Sequence, residues 1–513
     1  MRSDALNVRT SVRAMATAST SRAAPHTASG TPRAGSRASR PRCPPRRALA
    51  TTEPEAFNEF IKSASIRSRV ELGYGDNGRG LFTTGPAGWK EIELLLEVPL
   101  DVCIVAPVGD GDAASEDITA RKIVESWERR NATVPEGIKT MMFSKSGEDR
   151  ELGVALWLLF AVREGGKVWE AYGKWLPKKR ELPSLLLATS DELAMTQNEA
   201  IVQQAAFLKA EVRRIFDGLA PGLVPGSVTF EDLCWAFAIV KSRAIAAEVG
   251  ANPGGNDDTA VAVLAPCVDM ANHVDASKVT ALKKIGASDG GGLRGAYWRV
   301  ITGGNIEGGG GSCCLETNRP LAAKGEEITI SYVPAADNLE LMMSYGFALR
   351  GNRNDRINIP MTETTSSRLR LGALRYALED VGLMSAATAE EDIRRLIAIV
   401  GSACIIPPGA NIVDDDWELS AEDAERQVGN AQTIAEAWED ELDAFPTTLE
   451  ADEELLELNA KYDTAFGRAA LLFRIERKRL LTAGIDAMYE YINWLYADSE
   501  EEESSDSLPA GMA

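Results

Sequence analysis

Histidine is almost missing from this 513-residue chain: only His26 and His273 occur. That scarcity excludes His-rich metal sites and HExxH zinc motifs, and a Ser-His-Asp triad would have to rely on His273. Cysteine excludes nearly as much. The seven thiols, Cys43, Cys103, Cys234, Cys267, Cys313, Cys314 and Cys404, form no CxxC pair. An odd number at irregular spacing fits reduced thiols, not a disulfide framework, and no metal site is expected. Long apolar runs are lacking too. The best, Leu152 to Val162, is eleven residues long, against the roughly eighteen a membrane helix needs. The uncharged stretch after Leu396 is broken by Pro407, Pro408, Gly409 and Asn411. No membrane contact is expected.

The first fifty residues lack lysine altogether and contain one acid, Asp4, against ten arginines. Ala, Ser, Thr and Pro fill most other positions, so no core can form there. An Arg- and Ser-rich, acid-poor leader of this kind reads as a transit peptide, residues 1–50, with a basic disordered tail as the plain alternative. Its Ser/Thr/Pro/Ala content points to the chloroplast stroma ahead of the mitochondrion. Beyond it, 45 Lys and Arg face 75 Asp and Glu. Phosphate backbones would be repelled, which argues against nucleic acid as a partner. Asp498 to Asp506 reads as an acidic disordered tail, extending over 498–513.

What is present divides the remainder. Residues 55 to 110 read as short strands and turns without a sustained helical period. From about 117 to 250 the pattern becomes helical: Glu151 to Arg163 reads as a buried helix, Asp191 to Asp217 as one long amphipathic helix. Thr229, with Glu231 and Asp232, predicts a cap for a helix over Leu233 to Ala247. Strand-like pieces return at Val261 to Ala265, Ala296 to Thr302 and Glu327 to Tyr332, and after Pro360 the chain reads as almost wholly helical. In its last helix Leu481, Ile485, Met488 and Ile492 form a core-facing stripe. The fold class predicted is α+β: a β-rich domain over 55–350 with a helical insert, followed by an all-helical C-terminal domain over 360–497.

Four segments carry chemistry. Gly73-Tyr74-Gly75-Asp76-Asn77-Gly78 matches GxGxxG, but Gly80, Gly85 and Pro86 follow where a dinucleotide fold needs a helix. A strand-to-strand turn whose bare backbone admits a ligand is the better account. Lys241-Ser242-Arg243-Ala244-Ile245 closes the capped helix and offers a guanidinium fork for a carboxylate, although arginine at a helix end is commonly structural. Pro266-Cys267-Val268-Asp269-Met270-Ala271-Asn272-His273 gathers an Asp, an Asn and a histidine within five residues; a polar turn is the alternative. Glu326 to Tyr332 and Asn338 to Phe347 each deliver a tyrosine, which core packing alone could explain.

In this order the segments resemble a SET domain: Gly-Arg-Gly-Leu, Ser-Arg-Ala, Asp-Met-Ala-Asn-His, Ile-Ser-Tyr with Asn-x-Glu-Leu, and Tyr-Gly-Phe. The insert, with Leu176-Pro177, and the C-terminal part, with Phe473-Arg474 and Arg477-Lys478-Arg479-Leu480-Leu481, are similar to the Rubisco large-subunit methyltransferase subfamily. The resemblance spans about Ala56 to Ala497 and rests on co-occurrence and order. It implies S-adenosyl-L-methionine as cofactor, held near the backbone of Asn77 and Arg79, by Arg243 at the carboxylate, and by Asp269, Asn272 and His273. It implies Tyr332 as the catalytic tyrosine and Tyr345 as the second tyrosine of the methyl-transfer channel. Ser242 and Ile245 match positions whose carbonyls hold the target amine. Ile245 departs from the usual aromatic, and Ala247 stands where some relatives have a basic residue.

The implied activity is protein-lysine N-methylation by a monomer, with the Rubisco large subunit or a plastid aldolase as protein substrate. Displacement at a sulfonium needs a neutral amine held in line, not a metal. Lysine has a reference pKa of about 10.4, and a desolvating channel lowers it. Three rivals are a SET-like protein-binding scaffold without catalysis, a protein-histidine methyltransferase, and a dinucleotide-dependent oxidoreductase.

Overall fold

The computed structural model describes residues 53–75, 78–85, 93–108, 117–223, 226–249, 259–274, 296–302, 311–317, 325–333, 335–359, 367–370, 421–458 and 464–505. The expected transit peptide, Asn77 and the loop over 252–258 lie outside them.

The N-terminal region contains a helix that sequence reading missed. Helix α1 (Glu53–Ser63) buries Phe57, Phe60 and Ile61, which recur at helical spacing on one face. Short strands follow: β1 (Arg67–Ser68), β2 (Val70–Gly75), β3 (Gly78–Thr83), β4 (Glu93–Pro99) and β5 (Ile104–Pro107). The GxGxxG match is an antiparallel hairpin, β2 against β3 in continuous register from Val70↔Thr83 to Gly75↔Gly78. Gly78 sits at φ +91, where a side chain would be strained. Among the described residues no helix stands between the hairpin and β4, so the dinucleotide reading finds no scaffold there.

The insert is helical as expected: α2 (Ile118–Arg130), α3 (Glu136–Met142), α4 (Gly147–Glu164), α5 (Lys167–Gly173), α6 (Ser190–Ala194), α7 (Glu199–Asp217) and α8 (Phe230–Arg243). Helix α4 buries nearly every residue from Leu152 to Ala161, with Trp157 edge-on to Trp127 of α2. Two boundaries differ from prediction. The stretch from Asp191 to Asp217 is two helices, because Gln197 takes a left-handed φ of 50 and Asn198 caps α7 through Ile201 N. Helix α8, capped by the Thr229–Asp232 box, ends at Arg243 and not Ala247. Residues from Ile245 become β6 (Ile245–Val249), whose β-branched ends pair with β7 (Thr259–Leu264).

After β7 the chain turns through Cys267, left-handed at φ 72, into a 3-10 turn over Val268–Met270. Then come β8 (Asn272–His273), β9 (Ala296–Thr302), β10 (Gly311–Thr317), β11 (Glu327–Ile330) and α9 (Asn338–Tyr345). Three small sheets frame the site, ordered β1-β4-β10-β9, β2-β3-β11-β8 and β5-β7-β6. In the second, β11 lies antiparallel to β3 and parallel to β8, so the hairpin, the Asn-His segment and the strand leading to Tyr332 meet. One contiguous apolar core underlies this lobe and its insert.

The region after Pro360 is not helical from its start: β12 (Arg356–Ile359) pairs with β13 (Ser367–Arg370). Helices α10 (Ala421–Asp443), α11 (Leu449–Leu458) and α12 (Ala465–Ser505) form the C-terminal lobe. Leu481, Ile485, Met488 and Ile492 are buried there against α10, as their spacing predicted. The acidic run expected to be a disordered tail instead continues α12 to Ser505. Glutamate is a good helix former, and extension from a packed helix carries no nucleation cost. Leu193 and Ile201 of the insert, Met342 of α9, and Phe466 and Phe473 of α12 share a third apolar cluster.

Candidate active site

The site begins with a cation at a helix end. Arg243 closes α8, and its Nη1 donates to the backbone carbonyl of Asp269 at 2.7 Å and to Asp269 Oδ2 at 2.9 Å. The carboxylate is fully buried, while 19% of the arginine side chain stays exposed. Burial opposes the guanidinium charge, but Asp269 outweighs it and holds the group above its ordinary range. Arg243 Nε is buried without a hydrogen-bond partner, so the fork retains capacity for another acceptor.

Tyr172 of α5 completes this cluster and was not foreseen. Its fully buried hydroxyl donates to Asp269 Oδ1. Burial first, then the charge of Asp269, push the phenol well above its usual range, so it remains a donor. Three residues later, the Trp175 carbonyl accepts from Arg79 Nη2 at 2.5 Å. Arg79 therefore reaches the insert through its side chain and the site through its backbone, whose carbonyl accepts from Asn272 Nδ2 at 3.2 Å.

Asn272 is fixed by more than Arg79. Its Nδ2 also donates to Glu327 Oε1 at 2.8 Å, a second contact that sequence reading left without a role. With the amide nitrogen occupied on both sides, the oxygen is the group Asn272 can offer elsewhere. The hairpin glycines make room for this pair: a Cβ at Gly80 would stand 2.7 Å from Asn272 Nδ2 and 2.9 Å from Glu327 Oε1. Bare backbone here admits an amide and a carboxylate of the chain itself.

His273 accepts from the backbone N–H of Tyr332 through Nδ1, at 3.0 Å, which places the ring proton of the neutral imidazole on Nε2. Among the described residues no group of His, Cys, Asp and Glu could hold a metal ion. The Tyr332 hydroxyl donates to the Ala271 carbonyl at 2.8 Å. With its proton committed, the phenol oxygen presents lone pairs to anything beside it. Burial pushes this phenol up to about 12 despite the nearby Arg243, so it stays neutral in ordinary buffers.

Around Tyr332 lies an aromatic wall. Tyr345 and His273 each stand 5.2 Å from it, ring to ring, and Phe347 6.2 Å. Tyr345 closes α9, and burial raises its phenol as well. Ser242 spends its hydroxyl on the Ala238 carbonyl, 2.6 Å away. Ile245 opens β6 opposite Val263 and packs half-buried against the main core.

The structure thus brings Arg79, Arg243, Asp269, Asn272, His273, Tyr332 and Tyr345 into one connected site, flanked by Ser242 and Ile245. Tyr172 and Trp175 were hidden because their partners lie 97 and 96 residues away. Glu327 gave a weak signal, an acid at the start of an otherwise apolar strand.

No family model matches the chain. It is 25% identical over 468 residues to the protein Plastid Transcriptionally Active 14 of Arabidopsis thaliana, covering 86% of this chain and 84% of that one. It is 25% identical over 402 residues to the chloroplastic fructose-bisphosphate aldolase-lysine N-methyltransferase of the same plant, covering 74% and 76%. The chloroplastic Rubisco large-subunit N-methyltransferase of Nicotiana tabacum matches at 24% over 421 residues, 76% and 78% of the two chains. Among solved structures, Rubisco LSMT bound to AdoMet is 17% identical with a TM-score of 0.47, over 90% of this chain and 97% of that one. Similarity to these plastid and chloroplast proteins thus runs along 74–86% of the chain.

Proposed function

We propose that this protein is an S-adenosylmethionine-dependent N-methyltransferase of plastids that modifies a lysine on another protein. The observation that carries the reading is the convergence of Arg243, Asp269, Asn272, His273 and Tyr332, with Arg243 Nε left unpartnered. Its support from relatives is the activity for which the aldolase-lysine and Rubisco large-subunit N-methyltransferases are named.

The site fits such a cofactor. Arg243 can take a carboxylate through its free guanidinium face, and the Asn272 oxygen can accept from an ammonium. When bound, the cofactor supplies an electrophilic methyl group on sulfur. The chain's own residues then act on the amine. Tyr332 and the aromatic wall desolvate an entering ammonium and lower its pKa. The phenol oxygen, its proton held by Ala271, can accept from an amine N–H and so align the nitrogen lone pair. Holding reactants in line can contribute on the order of 7–11 kcal/mol to the barrier. Asn77, Ser242 and Ile245 remain assigned as contacts to the cofactor and the target amine. We assign 55–350 as the catalytic unit and 360–497 as the lobe that docks the protein substrate.

Calorimetric titration with S-adenosylmethionine and with NAD separates this reading from the oxidoreductase. Plastid stromal extract is then incubated with enzyme and radiolabelled cofactor, and the labelled protein is sequenced by mass spectrometry. Label on a lysine, with the Rubisco large subunit and plastid aldolase as first candidates, is the expected result. Label on a histidine would reassign the acceptor. Cofactor binding without any transfer would favour the protein-binding scaffold, for which the departure at Ile245 is the best argument.

A further inference from the structure

Besides α8, which ends in Arg243, the insert reaches the site through one short segment. Between Tyr172 and Pro177 the chain makes three bonds to three separate elements: Tyr172 Oη to Asp269, the Trp175 carbonyl to Arg79, and the Pro177 carbonyl to Trp235 Nε1 at 2.9 Å. Trp235 lies on α8, the helix that ends in Arg243. The segment therefore grips the hairpin, the turn before Asn272, and the arginine's own helix.

Asp269 needs this grip because both its oxygens have tasks. Oδ2 faces Arg243 and Oδ1 faces Tyr172, and both atoms belong to a fully buried carboxylate. A carboxylate held at one oxygen alone is free to rotate about its last torsion, which would leave the Asp269 backbone carbonyl as the one fixed acceptor among the described residues for Arg243 Nη1. The Tyr172 ring stacks on Phe60 at 5.5 Å and stands edge-on to Trp169 at 5.6 Å.

We propose that Tyr172 is a positioning residue for cofactor binding: through Asp269 it sets the direction in which Arg243 presents its unpartnered nitrogen to a carboxylate. The inference rests on the functional reading above. It predicts a selective defect, confined to ligands that carry a carboxylate.

Two probes test it by calorimetry on the full chain: S-adenosylmethionine, and 5′-methylthioadenosine, which keeps the nucleoside and sulfur but has no amino-acid carboxylate. Tyr172→Phe retains the ring and its packing. It should weaken S-adenosylmethionine by about tenfold, the usual scale for a bond to a charged group, and leave methylthioadenosine within about twofold. Asp269→Asn is the second variant should the first not fold. Its amide has one accepting oxygen for two donors, so the same selective loss is expected. Equal losses for both ligands, or no loss in either variant, would overturn the positioning role. Failure of the wild-type protein to bind S-adenosylmethionine would instead remove the functional reading, and this inference with it.

Discussion

Two buried charge clusters, one in the helical C-terminal lobe and one in the site, solve the same problem differently. In the helical lobe Lys478 spends its ammonium on the Thr447 carbonyl, Thr447 Oγ1 and Asp452 Oδ2. Arg474 takes the other oxygen of Asp452 at 2.6 Å and the Met195 carbonyl at 3.0 Å. One fully buried carboxylate thus pairs with two cations, and the cluster fastens α12 to α11 and to the insert. In the site, Asp269 serves one cation and one phenol, and Arg243 keeps a fifth of its side chain exposed. The first arrangement is sealed from solvent, and there Arg474 Nε is buried and unpartnered just as Arg243 Nε is. The second is left open on one side, and that opening is what a charged ligand can use.

The comparison breaks first at Asp452. Asp452→Ala would strand Arg474 and Lys478, whose side chains are 6% and 1% exposed. Removing one partner of a buried pair costs about 3–5 kcal/mol. Urea unfolding monitored through α10–α12 should register that loss; a change below about 1 kcal/mol would make the cluster incidental. Asp269→Ala strands a neutral phenol and a partly exposed arginine that keeps the residue 269 carbonyl, and should cost clearly less.

The next effect belongs to the site alone. Tyr332→Phe keeps the ring contacts with His273, Tyr345 and Phe347 while deleting the oxygen we propose to face the amine. Loss of one preorganised polar contact costs about 10²–10³ in rate, roughly 2.7–4 kcal/mol. Turnover should fall that far with cofactor affinity nearly unchanged. Full activity in the folded variant would withdraw Tyr332 from the chemistry. Arg243→Ala should do the opposite, weakening S-adenosylmethionine by about 1.5–3 kcal/mol, as calorimetry can read directly. Gly80→Ala sharpens the picture further. Its Cβ would press Asn272 and Glu327 apart, and overpacking of this kind costs about 1–3 kcal/mol. The variant should lose stability and cofactor affinity together; if affinity holds, the Asn272–Glu327 bond is not part of binding.

The two regions also differed in what their residues disclosed. Asp269, Asn272, His273 and Tyr332 were legible because they cluster within short segments whose order is itself informative. The stripe Leu481, Ile485, Met488 and Ile492 was legible because burial follows the helical period. Tyr172 was not, since nothing near it in sequence hints at a carboxylate met only after folding. Nor did anything near Lys478 and Arg474 disclose their burial: a buried ion pair has no signature until both partners are placed. Boundaries failed where backbone conformation decided them. Gln197 breaks one helix by taking a left-handed φ, and Ile245 leaves another because β7 offers a strand to pair with.

The smallest effect expected is a change that should not occur. A lysine amine attacks only when neutral, so turnover should climb with pH towards the reference value of about 10.4, sooner if the channel desolvates the ammonium. Tyr332 should add no limb to that curve. Burial raises its phenol to about 12 and its proton is held by the Ala271 carbonyl. A group whose folded value lies above its ordinary value of about 10 costs no stability below that point. Its neutral form is favoured by the fold, and that advantage is lost only as pH rises from about 10 through about 12. Wild type and Tyr332→Phe should therefore give pH–rate profiles of the same shape, the variant merely scaled down. Chelator should leave both unchanged. A profile that flattens in the variant would make Tyr332 the base that deprotonates the amine, and the phenol would then have to ionise against both its burial and its bond to Ala271.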